Sequence, residues 1–195
     1  MNRAALACDL VEELEFTLDQ WNQASPVALE ELIPLVRNDL RTMARAQLRK
    51  NRGHLTLQPT ALVNELFVRL LQFNAMKRVE DSAHFFHLAA RIMRQILVQR
   101  ARSSLADKRG GNWIRDEYTE SLAMPAANSP QLVELHDALE DLAKLHPRMA
   151  QVVELRYFGG YEVAEVAVLL DLEERTVYRD WATARAWLRV ALEQD

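Results

Sequence analysis

The sequence of 195 residues is poor in cysteine, glycine and proline. Its single cysteine, Cys8, excludes an internal disulfide framework and fits a reducing compartment. The 5 glycines and 6 prolines are too few for a protein rich in hairpins, and no sustained alternation of β-branched with polar residues indicates strands. We therefore predict an all-α fold.

Long hydrophobic runs are also missing from the sequence. No stretch approaches the roughly 20 unbroken apolar residues that a membrane helix needs. Residues 1–16 are acidic, whereas a signal peptide is basic and then apolar. We expect a cytoplasmic protein that has no membrane partner.

Positive charge is scarce overall but is concentrated in two segments. The chain has a net charge of −4, from 24 basic and 28 acidic residues. Residues 37–52 and residues 91–109 each carry six basic residues against a single aspartate. Two basic segments in an acidic protein indicate local phosphate contacts with weak autonomous affinity for DNA. The alternative is that each segment is an ordinary solvated helix face.

Little in the sequence could carry catalysis. His84 and His87 are three residues apart, but no cysteine or acid follows at a spacing that would complete a zinc site. Gly110 and Gly111 lack the lysine and the flanking strand of a phosphate-binding loop. We predict no enzymatic activity, no cofactor and no metal.

The helical periodicity divides the chain into two parts. Four apolar-periodic segments predict a first helical domain at residues 1–106. Residues 107–130 lose this periodicity, and a stretch this long indicates a flexible linker rather than a loop within a domain. Residues 131–195 predict a second, smaller helical domain, in which His146-Pro147 separates the first two helices.

Residues 161–189 form the most organised stretch of the sequence. They predict two helices separated by a tight turn at Asp171-Leu172. The second helix has a narrow apolar seam for the core, made of Val177, Trp181, Ala184 and Leu188. Its opposite face combines small residues with arginines that can reach phosphates or guanine edges, namely Arg175, Arg179, Ala182, Thr183 and Ala186, flanked by Thr176 and Tyr178. The pattern favours a DNA-binding helix-turn-helix, with a plain helical hairpin as the alternative.

The helix predicted at residues 82–106 has aromatic residues beside a basic track. Phe85 and Phe86 lie near its start and are followed by Arg91, Arg94, Gln95, Arg100 and Arg102. Such a surface can stack unpaired bases while its arginines neutralise the backbone. The alternative places both phenylalanines in the core and the arginines in solvent.

Three stretches carry a resemblance to a known family. Residues 56–71, which contain the motif TLQPTALV, resemble region 2.2 of bacterial sigma factors of the extracytoplasmic-function type. Residues 83–111 resemble regions 2.3 and 2.4. Residues 145–189 resemble region 4, and they end in the motif RTVxRDWxxARAWL of one subgroup. The resemblance covers nearly the whole chain in the order of the family.

The resemblance implies an alternative sigma factor whose partners are the RNA polymerase core, at its clamp helices and flap, and promoter DNA. Residues on or behind the polymerase-binding face would be Leu62, Asn64, Glu65, Phe67 and Arg69. Residues that capture the melted −10 strand would be Phe85, Phe86, Arg91, Arg94, Gln95 and Arg102. Residues that read the −35 duplex would be Arg175, Thr176, Tyr178, Arg179 and Thr183. The linker would thread toward the RNA exit path, with Asp116, Glu117 and Glu120 mimicking nucleic-acid charge.

The segment before region 2.2 departs from the family. Most members carry acids there that pair with the polymerase clamp, whereas residues 58–61 of this chain are uncharged. Thr60 lies in the first turn of its predicted helix, where the helix dipole favours a phosphate. We therefore hypothesise that a Ser/Thr kinase activates the factor at Thr60. The alternatives are that Thr60 caps the helix while Glu65 suffices for docking, and that an anti-sigma factor provides the control.

Two other classes of protein are compatible with the same features. One is a classical dimeric helix-turn-helix regulator, which binds a palindromic site without joining the polymerase. The other is a helical adaptor that binds only protein and keeps a vestigial DNA-binding face.

Overall fold

Four helices form the N-terminal half of the chain in a computed structural model that describes residues 8–23, 28–50, 57–74, 79–109 and 129–193. They are α1 (Cys8–Asn22), α2 (Ala28–Lys50), α3 (Pro59–Asn74) and α4 (Ser82–Arg109). Each helix turns one apolar face inward, and Leu18, Leu40, Leu66 and Ile96 are almost completely buried. Each such side chain stabilises the fold by about 1.5–3 kcal/mol relative to an exposed one.

The local sequence explains where α3 and α4 begin. Pro59 occupies the first position of α3, where the missing N–H has no helical partner to lose. Asp81 precedes α4, and its Oδ1 accepts a hydrogen bond of 2.6 Å from the backbone N–H of His84. Asn22, at the end of α1, accepts from and donates to the backbone of Val79. These contacts hold the start of α4 against the end of α1.

The C-terminal half contains α5 (Ser129–Leu145), α6 (Pro147–Val153), a π-helical segment (Glu154–Gly159), α7 (Val163–Leu169) and α8 (Glu174–Glu193). His146-Pro147 separates α5 from α6 as predicted. Gly160 ends the π segment with a φ of 75°, a conformation that suits glycine. Within the described residues there is no β-strand, which confirms the all-α fold.

One hydrophobic core extends through both halves. The helix α4 packs against α5 and the π segment, and α2 packs against the π segment. We call this boundary between the two halves the seam. Across it the rings of Phe86 and Tyr161 meet edge to face, with their centroids 6.0 Å apart. Separate folding of the predicted domains, 1–106 and 131–195, stays a prediction.

The predicted linker, 107–130, is only partly visible in the described chain. The helix α4 continues to Arg109, and α5 begins at Ser129. Residues 110–128, including Asp116, Glu117 and Glu120, lie outside the described residues. Among the helices of the described ranges, none combines the length and apolar character needed to cross a bilayer.

Candidate nucleic-acid and polymerase interfaces

The inner face of α8 fixes this helix on the C-terminal half. Val177, Ala184 and Leu188 are buried and Trp181 is partly buried, as the sequence pattern predicts. A guanidinium lies over the Trp181 ring, because the Cζ of Arg156 is 5.0 Å from the ring centroid. These buried contacts therefore set the rotation of α8 about its own axis.

A buried carboxylate also anchors α8. Asp180 is 1% exposed, and its Oδ2 accepts a hydrogen bond of 2.6 Å from the Nε of Arg148. Its Oδ1 accepts a second bond, of 3.2 Å, from the Nη2 of Arg148. A forked pair of this kind is geometrically specific. It ties α8 to α6, and the sequence reasoning missed it because 32 residues separate the partners.

The outer face of α8 is open to solvent. Arg175, Tyr178, Arg179 and Thr183 are exposed, and Thr176 is half-buried. The side chain of Arg179 is 72% exposed. The preceding turn is tight, because Asp171 has a φ of 51° and the backbone N–H of Leu172 donates to Ala167. All five residues predicted to read the −35 element therefore lie on one helix, and four of them are accessible.

The aromatic residues of α4 do not form an exposed stacking surface in this arrangement. Phe85 is 0% and Phe86 is 3% exposed. Their rings pack edge to face at a centroid distance of 5.3 Å, and Phe85 also meets Trp21 at 6.5 Å. The start of α4 therefore directs both phenylalanines into the core. For these two rings the arrangement agrees with the alternative interpretation of the sequence, in which they are core residues.

Arg94 lies at the centre of a buried polar cluster between the two halves. Its guanidinium donates to Glu154 Oε1 from Nη2 at 2.6 Å and from Nε at 3.0 Å, and to Glu140 Oε1 at 2.8 Å. It also contacts the Nδ1 of His136 and lies over the ring of Phe158. Arg94 is 1% and Glu154 is 3% exposed. We call Arg94, His136, Glu140 and Glu154 the seam cluster.

Two other arginines of α4 also pair across the seam, whereas Arg100 pairs with Glu65 of α3. Arg91 donates to Glu140 at 2.8 Å, and Arg102 donates to Asp137 at 2.7 Å. Both arginines remain partly exposed, and Gln95 is half-buried. All three arginines that the resemblance assigns to the −10 strand are therefore paired with carboxylates of the C-terminal half.

The local environment shifts the titration of the seam groups. Burial raises the pKa of Glu154, and the charge and hydrogen bonds of Arg94 oppose this shift. Burial would raise the pKa of Glu140, but the hydrogen bond and the charges from Arg94 and Arg91 outweigh it and hold the pKa below its usual value. Burial, assisted by the charge of Arg94, lowers the pKa of His136. A neutral imidazole can accept a hydrogen bond from Arg94.

The helix α3 presents polar and apolar residues side by side. Asn64 is exposed, Glu65 and Arg69 are half-buried, and Leu62 and Phe67 are buried behind them. Two further apolar side chains on this helix, Val68 and Leu71, are 55% and 46% exposed. Of the predicted polymerase-binding residues, three therefore reach the surface and two support it from the core.

The carboxylate of Glu65 is already paired within the chain. Its Oε1 accepts from Arg69 at 3.2 Å and its Oε2 accepts from Arg100 at 2.8 Å. Thr60 lies in the first turn of α3 and is exposed. The backbone N–H groups of a first turn have no partner within their helix. An added phosphate at Thr60 would thus meet a favourable helix end.

The two histidines at the start of α4 have different surroundings. His84 accepts a hydrogen bond of 3.2 Å from the backbone N–H of Glu80 through its Nδ1. Burial, assisted by the charges of Arg91, His84 and Arg94, lowers the pKa of His87 from 6.5 to about 4. In the described part of the chain, no group of three or more His, Cys, Asp or Glu residues could hold a metal.

Sequence reasoning missed the acids that face α4. Arg94 and Glu154 are 60 residues apart, and helical periodicity carries no information on contacts at that distance. One local signal was available, because Glu154 interrupts the apolar run of Val152, Val153 and Leu155, all of which are buried. A charge on a buried face needs a partner.

The described residues form an all-α protein in which α7, a tight turn and α8 follow one another in the order of a helix-turn-helix. Over residues 11–194 the chain matches the sequence model of a family described as ECF sigma factor. The chain therefore belongs to this non-enzymatic family of alternative sigma factors, which act in transcription initiation with RNA polymerase and promoter DNA. No curated protein and no solved structure matches the chain. The family predicted from the motifs is confirmed, and the subgroup stays a prediction.

Proposed function

We propose that this sigma factor reads the −35 element of promoter duplex with α8 and captures the melted −10 strand with α4. The observation that carries the −35 role is the outer face of α8, where Arg175, Tyr178 and Arg179 are exposed opposite a buried seam. Arginine forks can bond guanine edges in the major groove. The exposed small residues Ala182 and Ala186 would let the helix lie deep in that groove.

The −10 role requires α4 to separate from α5 and the π segment. Arg94 cannot reach a phosphate while its guanidinium is buried against Glu154 and Glu140. Separation would release these arginines and uncover Phe86, which contacts Tyr161 across the seam. Flipping a base out of the stack costs a few kcal/mol, so aromatic contacts released in this way would offset that cost.

The polymerase-binding role rests on the surface of α3. Exposed Val68 and Leu71 lie on the same helix as Asn64, Glu65 and Arg69. A partner helix could bury these apolar side chains while the polar residues form the rim of the contact. We infer that this surface docks on the clamp helices of the polymerase core.

Phosphorylation of Thr60 would complete this surface. Residues 58–61 carry no charge, and both oxygens of the Glu65 carboxylate are already hydrogen-bonded to Arg69 or Arg100. The docking surface therefore has little negative charge to offer a basic partner. A phosphate on exposed Thr60 would add about two negative charges at the end of α3. An anti-sigma factor is the alternative mode of control.

Co-elution with purified core polymerase tests the role of Thr60. We expect kinase-treated protein to bind core tightly, unmodified protein to bind weakly, and Thr60→Ala protein to stay weak after kinase treatment. Gln72→Ala, at an exposed site on the same helix, is the matched control. Normal core binding and promoter activation by Thr60→Ala protein in cells would contradict the proposal.

Reconstituted run-off transcription from genomic promoter fragments tests the whole function. We expect specific initiation that Arg179→Ala reduces at the −35 step, with core binding unchanged. Exposed Arg189 lies outside the predicted reading face, so Arg189→Ala is the matched control. Failure with competent core, together with tight binding of a dimer to duplex DNA, would instead favour a classical helix-turn-helix regulator.

A further inference from the structure

A cavity of about 520 Å³ lies between α2 and the C-terminal half. One wall consists of Thr42, Arg45 and Arg49 of α2. The opposite wall comes from the π segment, the turn that follows it and α8, and it includes Arg156, Tyr161 and Trp181. Its volume falls within the range of about 300–1,000 Å³ that is typical of small-molecule sites. None of the roles assigned above uses this cavity.

The cavity is positively charged although the protein is acidic. Its lining contains three arginines and a single carboxylate, that of Glu162. The Glu162 carboxylate lies 3.7 Å from Arg156 and its side chain is 82% exposed, so it screens little of the charge. Arg45 and Arg49 form no ion pair with any other residue of the described ranges. The lining thus presents two uncompensated positive charges, one helical turn apart, on the α2 wall.

The arginine on the opposite wall is held in place before any ligand arrives. The guanidinium of Arg156 lies over the Trp181 ring, and the Cζ of Arg185 is 5.8 Å from the centroid of the same ring. The Nε of Arg156 is buried and lacks an acceptor within the described chain. A buried donor without an acceptor is costly. The Nε–H of Arg156 is thus a donor that remains available to an acceptor on a ligand.

The geometry points to a binding site for a phosphorylated small molecule of nucleotide size. Guanidinium groups line both walls, and such groups match the oxygens of a phosphate group. Aromatic side chains, including Tyr157, Tyr161 and Trp181, supply the apolar area for the rest of such a ligand. We propose this site for a phosphorylated small molecule, and not for a nucleic-acid strand, because its volume of about 520 Å³ suits a single nucleotide-sized ligand.

A ligand in this cavity would join the two halves of the chain. Arg45 and Arg49 belong to the N-terminal half, whereas Arg156 directly follows Leu155 on the π segment that carries Glu154. The backbone approaches closely at the same place, since a Cβ on Gly160 would lie 3.1 Å from the Cβ of Ala46. A bound ligand would therefore stabilise the arrangement described above, in which the two halves of the chain are packed together. An effect on transcription, unlike binding itself, rests on the proposed role of α4.

Calorimetric titration of the full chain with ATP, GTP, adenosine and inorganic pyrophosphate tests the site. We expect at least one nucleoside triphosphate to bind, adenosine not to bind, and Arg45→Ala/Arg49→Ala to weaken the binding at least tenfold. Arg37→Ala is the matched control, because Arg37 is an exposed arginine of α2 outside the cavity. Circular dichroism establishes that each variant is folded.

Amide hydrogen exchange locates the ligand without polymerase. Saturating nucleotide is expected to slow exchange in both α2 and residues 154–162 and to raise the thermal midpoint. Binding that is absent for every probe, or unchanged by Arg45→Ala/Arg49→Ala, would overturn the site. Pyrophosphate that binds as tightly as the nucleotide, or a single-stranded oligonucleotide that displaces it through the same arginines, would overturn its assignment to a nucleotide-sized ligand. None of these outcomes depends on sigma activity.

Discussion

The two surfaces that we assign to DNA use arginine in opposite ways. On α8 the side chain of Arg179 is 72% exposed, whereas on α4 Arg94 is 1% exposed and paired with Glu154. The buried carboxylate of α8, Asp180, lies behind the reading face and supports it. On α4, by contrast, the carboxylates of Glu154 and Glu140 pair with Arg94 itself. Under the proposed function, the surface on α8 is accessible as it stands, while the surface on α4 requires the two halves to separate first.

The largest effect is expected from breaking the seam cluster. Arg94→Ala leaves the buried carboxylate of Glu154 without a counter-charge, so we expect a loss of about 3–5 kcal/mol in the free energy of unfolding. Urea unfolding at pH 7 measures this loss. The loss should shrink at low pH, because Glu154 can then become neutral.

A double substitution separates the ion pair from the packing at the seam. Arg94→Met/Glu154→Leu removes both charges and keeps apolar volume, so we expect it to recover most of the stability that Arg94→Ala loses. A double variant as unstable as Arg94→Ala would mean that hydrogen bonds to Glu140 and His136, rather than the buried charge of Glu154, dominate the cluster.

A smaller effect is expected from breaking the anchor of α8. Arg148→Ala leaves the buried carboxylate of Asp180 with only the exposed guanidinium of Arg179, 4.0 Å away, and we expect a loss of about 2–3 kcal/mol in the free energy of unfolding. The cost is below that of Arg94→Ala because only one end of this pair is buried. We expect duplex binding to fall as well, since the rotation of α8 is then less well fixed. Equal losses of unfolding free energy for Arg94→Ala and Arg148→Ala would contradict the view that the pair at α4 is more deeply buried and more costly to break than the pair at α8.

Protonation of the buried histidines is expected to lower the free energy of unfolding by about 2 kcal/mol between pH 7 and pH 4.5. The pKa of His87 falls from 6.5 to about 4 on folding, and that of His136 is also lowered. At these two histidines the unfolded chain consequently binds more protons than the folded chain between pH 6.5 and pH 4, whereas the raised pKa of Glu154 acts in the opposite direction. The stabilisation that comes from keeping these histidines neutral is therefore fully present above pH 6.5 and is lost as the pH falls through this window.

The variant His87→Gln serves as the reference for the pH series. It removes the group with the largest lowering of pKa among these histidines and leaves Arg91, Arg94 and His84 in place. Urea unfolding at several pH values should show a shallower slope for this variant. An unchanged slope would assign the acid sensitivity to carboxylates such as Glu140, whose lowered pKa acts in the same direction at lower pH.

The sequence predicted the elements of this fold better than their contacts. The seam of α8 follows from a spacing of three and four residues, and Val177, Ala184 and Leu188 are indeed buried. The break at His146-Pro147 follows from the geometry of proline. Both features depend on neighbours along the chain, which is the range over which periodicity and backbone preference act.

The contacts of α4 could not be predicted in the same way. A helical pattern does not distinguish an arginine that faces solvent from one that faces a distant carboxylate, as Arg94 faces Glu154. The phenylalanines show the same limit, because the aromatic pair is compatible with a stacking surface although the pattern alone favours the core, where both rings lie.

The smallest effect is expected from the rim of the seam, where Arg102 pairs with Asp137 at 2.7 Å. Both side chains are more than half exposed, so the coupling energy in a double-mutant cycle should be below about 1 kcal/mol and should fall in high salt. The cycle needs Arg102→Ala, Asp137→Ala and the double variant, with urea unfolding of each. A coupling as large as that of Arg94 with Glu154 would mean that burial does not rank these pairs. A small coupling would leave Arg102 as an arginine that can exchange a carboxylate for a phosphate at low cost, and Arg94 as one that cannot do so until the halves separate.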